Sequence, residues 1–308
     1  MILKKPKFWD LKHPNIYAYL LLPLALLIQF LNFFKKNKKI KNFKIKTICV
    51  GNIYVGGTGK TSLSIKINEI LKKKNIKSCF VKKFYADQID EQKILGNNGK
   101  LFLSKNRLSA IKEAENEQYE IAILDDGLQD NSINNDINLV CFNTINWIGN
   151  GMAIPAGPLR ENIKNLKNYK HIFLNGNLEN IENLKKQIFK INPEANIFLG
   201  RYEPININEF EKNGKYLVFS GIGNHKTFIS MLKNYGLNIL KEIEFPDHYQ
   251  FKKSDIDFII REARNMDCKI VTTEKDYLRI DSKESNEFKF IKSELQIINE
   301  EEFIKFLV

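Results

Sequence analysis

Residues 46–62 read KTICVGNIYVGGTGKTS, and this stretch decides the fold class. Residues 46–50 form a short, mostly apolar and β-branched run, which predicts a buried strand. A glycine-rich loop follows, and after Lys60 the apolar residues recur at helical spacing: Leu63, Ile67, Ile70 and Leu71. A strand, a glycine loop and a helix start in this order are typical of a phosphate-binding P-loop. The sequence therefore predicts an α/β protein with a P-loop NTPase-like core of parallel strands.

The loop contains side chains that suit a nucleotide phosphate. Its glycines allow successive backbone N–H groups to point at phosphate oxygens. Lys60 would reach the β- and γ-phosphates, and the Thr61 hydroxyl would bind Mg²⁺. Tyr54 stands where the P-loop consensus has glycine. The loop also resembles that of the ParA/MinD ATPases, but Val55 occupies the position of their signature lysine.

A second apolar run indicates where a metal ion would bind. Residues 119–124 read as a buried strand, and Asp125 and Asp126 follow directly. Carboxylates at the end of a parallel strand, about 65 residues after a P-loop, are typical of a Walker-B magnesium ligand. Since adjacent residues on a strand point to opposite faces, we expect the turn at Gly127 to redirect one of the two side chains.

The net charge of the chain is concentrated at its amino terminus. The 308 residues carry a charge of +12, and 43% of them are hydrophobic, which excludes a largely disordered protein. Residues 1–46 contain eleven lysines and one acid, whereas the other 262 residues contain 37 basic and 35 acidic groups. A charge confined to one terminus does not favour a nucleic-acid partner. The four cysteines are far apart, which favours free thiols in a reducing cytosol over a zinc site or disulfides.

Residues 16–34, IYAYLLLPLALLIQFLNFF, form an uncharged stretch between these lysines. As a helix it would be about 28 Å long, near the lower limit for crossing a bilayer. Lysines stand where a signal peptide would be cleaved, and a spanning helix would leave one basic flank outside. A buried core helix is a further alternative, although 19 uncharged residues exceed its usual length. We expect a helix that lies on an anionic membrane surface.

Several motifs further along the chain, taken together, resemble one family. The motifs are the Trp9 and Leu/Pro-rich amino-terminal helix, VGNIYVGGTGKTS (50–62), LDDGLQ (124–129), GNGMAIPAGPLRE (149–161), SGIGN (220–224), FPDH (245–248) and TEKD (273–276). Over nearly its whole length the chain resembles tetraacyldisaccharide 4′-kinase, the inner-membrane kinase of lipid A biosynthesis. Several motifs in the same order are far more specific than any one of them.

The resemblance implies transfer of the γ-phosphate of ATP to the 4′-hydroxyl of a tetraacylated disaccharide 1-phosphate. It implies ATP and Mg²⁺ as cofactors, an acylated disaccharide lipid and an anionic membrane surface as partners, and no nucleic acid. The implied location is the cytoplasmic face of the bacterial inner membrane. The alternative is a membrane-tethered ATPase switch of the ParA/MinD kind without a lipid acceptor, which Val55 disfavours.

The resemblance also implies which residues bind the nucleotide and the metal. ATP would be bound by the loop residues Tyr54, Val55, Gly56, Gly57, Thr58, Gly59, Lys60 and Thr61. Mg²⁺ would be bound by Thr61, Asp125 and Asp126. Lys60 would have a catalytic role on the phosphates.

On the acceptor side the resemblance implies four residues. Asp90 would accept the proton of the substrate hydroxyl, and His248 would support that carboxylate. Glu91, beside Asp90, and Arg107 would contact the substrate. The chain departs from the family pattern before Asp90: the S-R-G-Y-G stretch of the family reads KKFYA at 82–86, and the segment that follows is shortened.

We predict three parts along the chain. Residues 1–46 form the basic, membrane-associating helix segment, and residues 47–205 form the P-loop kinase core. Residues 206–308 form a smaller α/β domain, with strands near 216–219 and 269–272.

Overall fold

The computed structural model describes residues 5–34, 43–86, 88–247, 249–280 and 287–308. Its strands are β1 Lys46–Gly51, β2 Ser78–Lys83, β3 Leu101–Ser104, β4 Ile121–Asp125, β5 Ile137–Asn143, β6 His171–Asn175, β7 Asn196–Pro204, β8 Lys215–Ser220, β9 Asn238–Glu244, β10 Lys269–Thr273, β11 Phe288–Ile291 and β12 Ser293–Ile298. Its helices are α1 Ile16–Phe34, α2 Lys60–Lys73, α3 Ile89–Asn98, α4 Arg107–Asn116, α5 Ile181–Ile191, α6 His225–Asn234, α7 Lys253–Asn265, α8 Glu274–Tyr277 and α9 Glu300–Leu307.

The larger sheet places the P-loop and the acidic pair at one edge. Its eight strands have the order β12-β7-β6-β5-β1-β4-β2-β3, and the pairs from β7 to β3 are parallel. Strand β1 lies between β5 and β4, and its residues 47–50 are buried. Because parallel strands end at the same edge of a sheet, the loops after β1 and β4 lie side by side. The predicted parallel α/β core is confirmed.

Helix α2 packs on this sheet through the face that the sequence predicted. Leu63, Ile67, Ile70 and Leu71 are all buried. Burying a side chain of this size contributes roughly 1.5–3 kcal/mol relative to its exposure. The helix contacts β1, β2 and β4, so the P-loop at its amino end rests on a well-packed base.

The chain divides into two compact units. Among the described residues, those within Lys5–Asn175, Glu179–Gly200 and Ile297–Val308 form the larger unit, and those within Gly176–Leu178 and Arg201–Gln296 form the smaller unit. The smaller unit contains a parallel sheet with the strand order β11-β10-β8-β9. At the carboxyl end this division differs from the predicted domain of residues 206–308. Residues 297–308 belong to the larger unit, since Phe303 and Leu307, four residues apart on α9, are both buried there.

Helix α1 exposes most of its apolar side chains. It covers the 19 residues that the sequence predicted, and Ala18 and Ala25 are its buried positions among those described. Its large exposed side chains are Ile16, Tyr17, Tyr19, Leu20, Leu24, Leu26, Leu27, Phe30 and Leu31. Within the described part of the chain, no helix combines the length and the apolar character needed to cross a membrane. Exposed apolar side chains along one helix suit the expected membrane attachment, which stays a prediction.

A short 3₁₀ turn, Lys7–Asp10, connects the start of α1 to the rest of the larger unit. The Trp9 indole Nε1 donates a hydrogen bond to the Pro155 carbonyl oxygen at 3.1 Å, and the Asn150 amide donates to the Trp9 carbonyl at 2.9 Å. Gly149 has a φ of +57°, and a Cβ there would lie 2.2 Å from the Trp9 oxygen. The close approach therefore requires glycine at position 149.

We predict that Phe303→Ala destabilises the larger unit by about 3–5 kcal/mol, because Phe303 is fully buried beside Phe173 and Phe198. The measurement is urea unfolding followed by circular dichroism. Phe189→Ala is the matched control, since Phe189 is 41% exposed on α5, and it should change the free energy of unfolding little. Equal effects of the two substitutions would contradict the packing of α9 on the sheet.

Candidate active site

Two glycines shape the P-loop. Gly59 has φ 80° and is the N-cap of α2, and Gly56 has φ 133°. Residues other than glycine rarely adopt such φ angles. The turn at Gly59 makes Lys60 the first residue of α2 and places Thr61 in the same turn. The free N–H groups at the start of a helix are a natural binding site for phosphate.

Two buried asparagines hold the loop in shape. Asn52 Nδ2 donates a hydrogen bond to Thr58 Oγ1 at 2.8 Å, and Asn175 Nδ2 donates to the Thr58 carbonyl oxygen at 2.7 Å. Both asparagines are fully buried, as is Thr58 to within 1%. Asn175 ends β6 and Asn52 directly follows β1, so the carboxyl ends of two strands help to fix the conformation of the loop.

The irregular segment 149–161 pairs with the front of the loop. The Val55 amide donates to the Pro158 carbonyl oxygen at 2.8 Å, and the Arg160 amide donates to the Ile53 carbonyl at 2.7 Å. The composition of residues 149–161 is as typical of a rigid connector as of a functional segment. The structure shows that the segment forms part of the candidate site.

Tyr54, which replaces a consensus glycine, anchors the loop with its side chain. It is 1% exposed and forms an antiparallel bridge with Leu159. Its hydroxyl donates to Asp10 Oδ1 at 2.7 Å, and Lys5 also contacts it. Burial, together with the bond to Asp10, raises the pKa of Tyr54, so the phenol stays protonated. Only the backbone of Tyr54 is thus left to contact a ligand.

Asp125 ends β4 and faces the first turns of α2. Its side chain is fully buried. Thr61 Oγ1 donates to Asp125 Oδ2 at 3.4 Å, and Ser64 Oγ donates to Oδ1 at 3.2 Å. Lys82 Nζ lies 2.6 Å from Oδ2. A P-loop threonine beside the carboxylate of the neighbouring strand is the arrangement of a Walker-B magnesium site.

Asp126 turns toward the basic groups of the site. Its own φ of +57° redirects the side chain, whereas the sequence led us to expect this at Gly127. Asp126 Oδ1 lies 3.9 Å from Lys60 Nζ and 2.8 Å from Arg160 Nη1. Burial alone would raise the pKa of Asp126, but Lys60 and Arg160 outweigh it and hold the pKa below its usual range. The carboxylate therefore stays ionised.

Arg107 is held against the same turn. It is the first residue of α4 and is 6% exposed. Its Nη2 donates to the Asp126 carbonyl oxygen at 2.5 Å, and its Nη1 lies 3.6 Å from Asp130 Oδ2. The structure therefore brings Arg107 to the acidic pair, although its predicted contact with substrate stays a prediction.

Asp90 and Glu91 lie in the first turn of α3, where their charge suits the helix dipole. Glu91 Oε2 lies 2.7 Å from Lys82 Nζ, and the same ammonium group contacts Asp125. Glu91 is thus joined to the candidate metal site through one lysine. Asp90 is partly exposed, and its role as the proton acceptor stays a prediction.

His248 lies outside the described residues, so its role also stays a prediction.

In the smaller unit, the SGIGN and TEKD motifs meet at Asp276, which is fully buried. The Gly221 amide and the Thr273 hydroxyl donate to Asp276 Oδ2 at 3.0 and 2.7 Å. Burial raises the pKa of Asp276, and these hydrogen bonds partly oppose the rise. These hydrogen bonds connect the two motifs and hold them together, which is a structural role.

Three residues of the site were not identified from the sequence: Lys82, Ser64 and Arg160. Ser64 lies three residues after Thr61, on the same face of α2, and this spacing was a usable signal. A lysine that directly follows the apolar residues of a strand, as Lys82 does in β2, was a second signal. Arg160 offered no local signal, since its contact with Asp126 depends on the path of the segment 149–161.

The donor set fits a metal–triphosphate complex. The Thr61 hydroxyl and the two aspartates are hard oxygen ligands, which Mg²⁺ prefers, and Lys60 stands beside them. Within the described ranges, no group of three or more His, Cys, Asp or Glu side chains could hold a metal ion by itself. Protein-bound Mg²⁺ usually takes one or two carboxylates together with substrate phosphates, and this site offers those ligands.

Comparison with known proteins gives a consistent result. The family described as LpxK, tetraacyldisaccharide-1-P 4′-kinase, matches residues 17–308. The chain is 56% identical over 308 residues to the tetraacyldisaccharide 4′-kinase of Pelagibacter ubique, covering 100% of this chain and 98% of that protein. It is 33% identical over 300 residues to the enzyme of the same name from Rickettsia canadensis, covering 91% and 90%.

A solved structure shares the fold. It is the crystal structure of the "apo" form of LpxK from Aquifex aeolicus in complex with ATP. The TM-score is 0.66 with 22% sequence identity, and the match covers 95% of this chain and 98% of that one. At this identity the likeness supports the architecture of the two sheets and their helices.

We predict that Arg160→Gln weakens the acid dependence of stability. A carboxyl whose pKa is lowered by folding stabilises the protein above its unfolded pKa, and this contribution is lost as pH falls through the folded pKa. Removing one cation moves the folded pKa of Asp126 up, so the variant has less to lose. Urea unfolding at pH 7 and pH 3 measures the difference. Arg201→Gln, whose partner Glu203 is near the surface, is the control, and an unchanged pH dependence in Arg160→Gln would contradict the ion pair.

Proposed function

The chain belongs to the tetraacyldisaccharide-1-P 4′-kinase family, and we propose that the site around Lys60, Asp125 and Asp126 performs its reaction. The activity is ATP-dependent transfer of the γ-phosphate to the 4′-hydroxyl of a tetraacyldisaccharide 1-phosphate in lipid A biosynthesis. One observation carries the assignment of the site: the P-loop threonine and lysine each contact a carboxylate at the end of β4.

The nucleotide binds along the loop 54–61. The backbone amides from Gly56 to Gly59 and the amino end of α2 contact the phosphates, and Lys60 neutralises charge that spreads over the γ-phosphoryl group during transfer. Arg160 holds Asp126 in place and keeps its charge from repelling the nucleotide. Asparagine contacts to Thr58 keep the loop from rearranging when ATP enters.

Mg²⁺ is held by Thr61, Asp125 and Asp126 together with phosphate oxygens. When bound, it neutralises the charge that develops on the β- and γ-phosphate oxygens. Asp125 orients the Thr61 hydroxyl, and Ser64 holds the other oxygen of the same carboxylate. These contacts fix the ligands before the metal–ATP complex arrives.

The oxygen of the 4′-hydroxyl forms the new bond to the γ-phosphorus, and the bond between that phosphorus and the leaving ADP oxygen breaks. Asp90 accepts the proton that the hydroxyl loses. A carboxylate of ordinary basicity suffices, because the proton moves late in a loose transition state. Glu91 and Arg107 contact the acceptor. The position of Asp90 at the start of α3, beside the Lys82 bridge, supports this assignment.

Helix α1 lies on the anionic surface of the cytoplasmic face of the inner membrane. Its exposed leucines would enter the interface, and the lysines of the sequence before and after it would meet anionic lipid headgroups. The Trp9 contacts tie this helix to the segment 149–161, which pairs with the P-loop. The helix would thus bring the phosphate site close to an acceptor whose acyl chains stay in the bilayer.

We predict that Lys60→Ala and Asp125→Asn abolish phosphoryl transfer, and that Asp90→Ala slows it by about 10²–10⁴-fold. The assay uses γ-labelled ATP with the tetraacyldisaccharide 1-phosphate in mixed micelles. Label in the lipid supports the kinase, and label released only as free phosphate would indicate an ATPase instead. Lys185→Ala, in a surface pair with Glu182, is the control and should keep the wild-type rate. A wild-type rate in Asp90→Ala would refute its role as the base.

We predict that a Leu20→Glu/Leu27→Glu variant no longer sediments with vesicles of anionic phospholipid, whereas the wild-type chain does. Both leucines are more than half exposed on α1, and charges there oppose insertion into the interface. Leu278→Glu is the matched control, because Leu278 is 79% exposed but lies in the smaller unit. Equal sedimentation of the α1 variant and the wild type would contradict attachment through α1.

A further inference from the structure

Lys82 is a fully buried lysine with two carboxylate partners. Its side chain is 1% exposed, and its ammonium lies 2.6 Å from Asp125 Oδ2 and 2.7 Å from Glu91 Oε2. Asp125 is fully buried, and Glu91 is 25% exposed. A buried charge is tolerated only when it is paired and hydrogen-bonded, so the three side chains form one unit.

These three side chains connect the end of β4 with the start of α3, two parts of the site that the backbone does not join directly. Strand β2 pairs with β4 in a register that puts Val81 opposite Leu124, so the next residues, Lys82 and Asp125, are neighbours at the strand ends. Glu91 comes from the next element, in the first turn of α3. The ammonium group therefore connects the metal-binding carboxylate of β4 with the helix that begins beside Asp90.

Backbone and side-chain contacts with neighbouring residues also hold the start of α3. Its N-cap residue, Gln88, makes no side-chain capping hydrogen bond. Gln92 Nε2 donates to the Tyr85 carbonyl oxygen at 2.6 Å, which holds the connecting segment but does not reach the phosphate site.

We propose that Lys82 is a positioning residue for phosphoryl transfer: it holds the first turn of α3, and with it Asp90, at a fixed distance from Asp125. The proposal rests on the proposed function, since it assigns the acceptor side to α3. Lys82 contacts neither ATP nor acceptor in this role. It acts through Glu91, and displacement of a catalytic group by about 1 Å can cost on the order of 10²-fold in rate.

The experiment is a double-mutant cycle on kcat with Lys82→Met, Glu91→Gln and the double variant, at saturating ATP and acceptor. Each single substitution breaks the same bridge, so each should lower kcat by about 10–100-fold. The double variant should be no slower than Lys82→Met alone, because Lys82→Met has already broken the bridge in which Glu91 takes part. In Glu91→Gln the KM for ATP should stay within about twofold, since Lys82 still pairs with Asp125.

A surface pair of the same chemistry is the matched control. Lys100 and Glu117 lie 3.2 Å apart and are both more than 40% exposed, so Lys100→Met and Glu117→Gln should leave kcat unchanged. Hydrogen exchange gives a second readout: amides 89–92 should exchange faster in Lys82→Met and Glu91→Gln than in the wild type. Glu91→Gln serves alone if Lys82→Met does not fold.

Two outcomes would overturn the proposal. The first is a wild-type kcat in Glu91→Gln, and the second is a double variant whose loss equals the product of the single losses. In the second case Glu91 acts on the acceptor without needing Lys82 to position it. Asp90→Ala separates this from a failure of the proposed function. If Asp90→Ala is inactive while Glu91→Gln is fully active, only the positioning role fails; if Asp90→Ala is fully active, the assignment of α3 itself is wrong.

Discussion

The parallel pairing of β1 with β4 is the constraint on which the candidate site depends. This pairing places Val50, the penultimate residue of β1, opposite Asp125. The Asp126 amide then continues the ladder by donating a hydrogen bond to the Val50 carbonyl oxygen at 2.8 Å. A shift by one residue would turn every side chain of β4 to the other face of the sheet. The hydrophobic burial of both strands prevents such a shift, so the core that stabilises the fold also fixes the position of the Asp125 carboxylate.

Features encoded locally could be predicted from the sequence. The strand, glycine loop and helix at 46–73 and the acidic end of β4 each depend on residues that are near one another in the chain. The contacts of Lys82 could not be predicted, because its partners are 43 and 9 residues away and on different elements. The packing of α9 in the larger unit could not be predicted for the same reason. Its apolar face indicates that one side of the helix is buried, but it does not indicate which surface covers that side.

Tyr54 shows how a departure from a consensus can be compensated. In the consensus a glycine lets the chain approach the phosphates without a side chain in the way. Here the tyrosine side chain is buried, and the bridge to Leu159 and the bond to Asp10 hold it there. The same segment that accepts Tyr54 also brings Arg160 to Asp126. One replacement in the loop thus couples its shape to the amino-terminal turn that carries α1.

The charged side chains of the site balance one another before a ligand enters. The pairs are Lys60 and Arg160 with Asp126, Lys82 with Asp125 and Glu91, and Arg107 with Asp130. These four cations and four carboxylates sum to no net charge, so they favour neither free ATP nor a free metal cation. A metal–ATP complex carries less charge than free ATP, so under the proposed function the carboxylates of this site would repel it less. The backbone dipoles at the amino end of α2 would add to its binding.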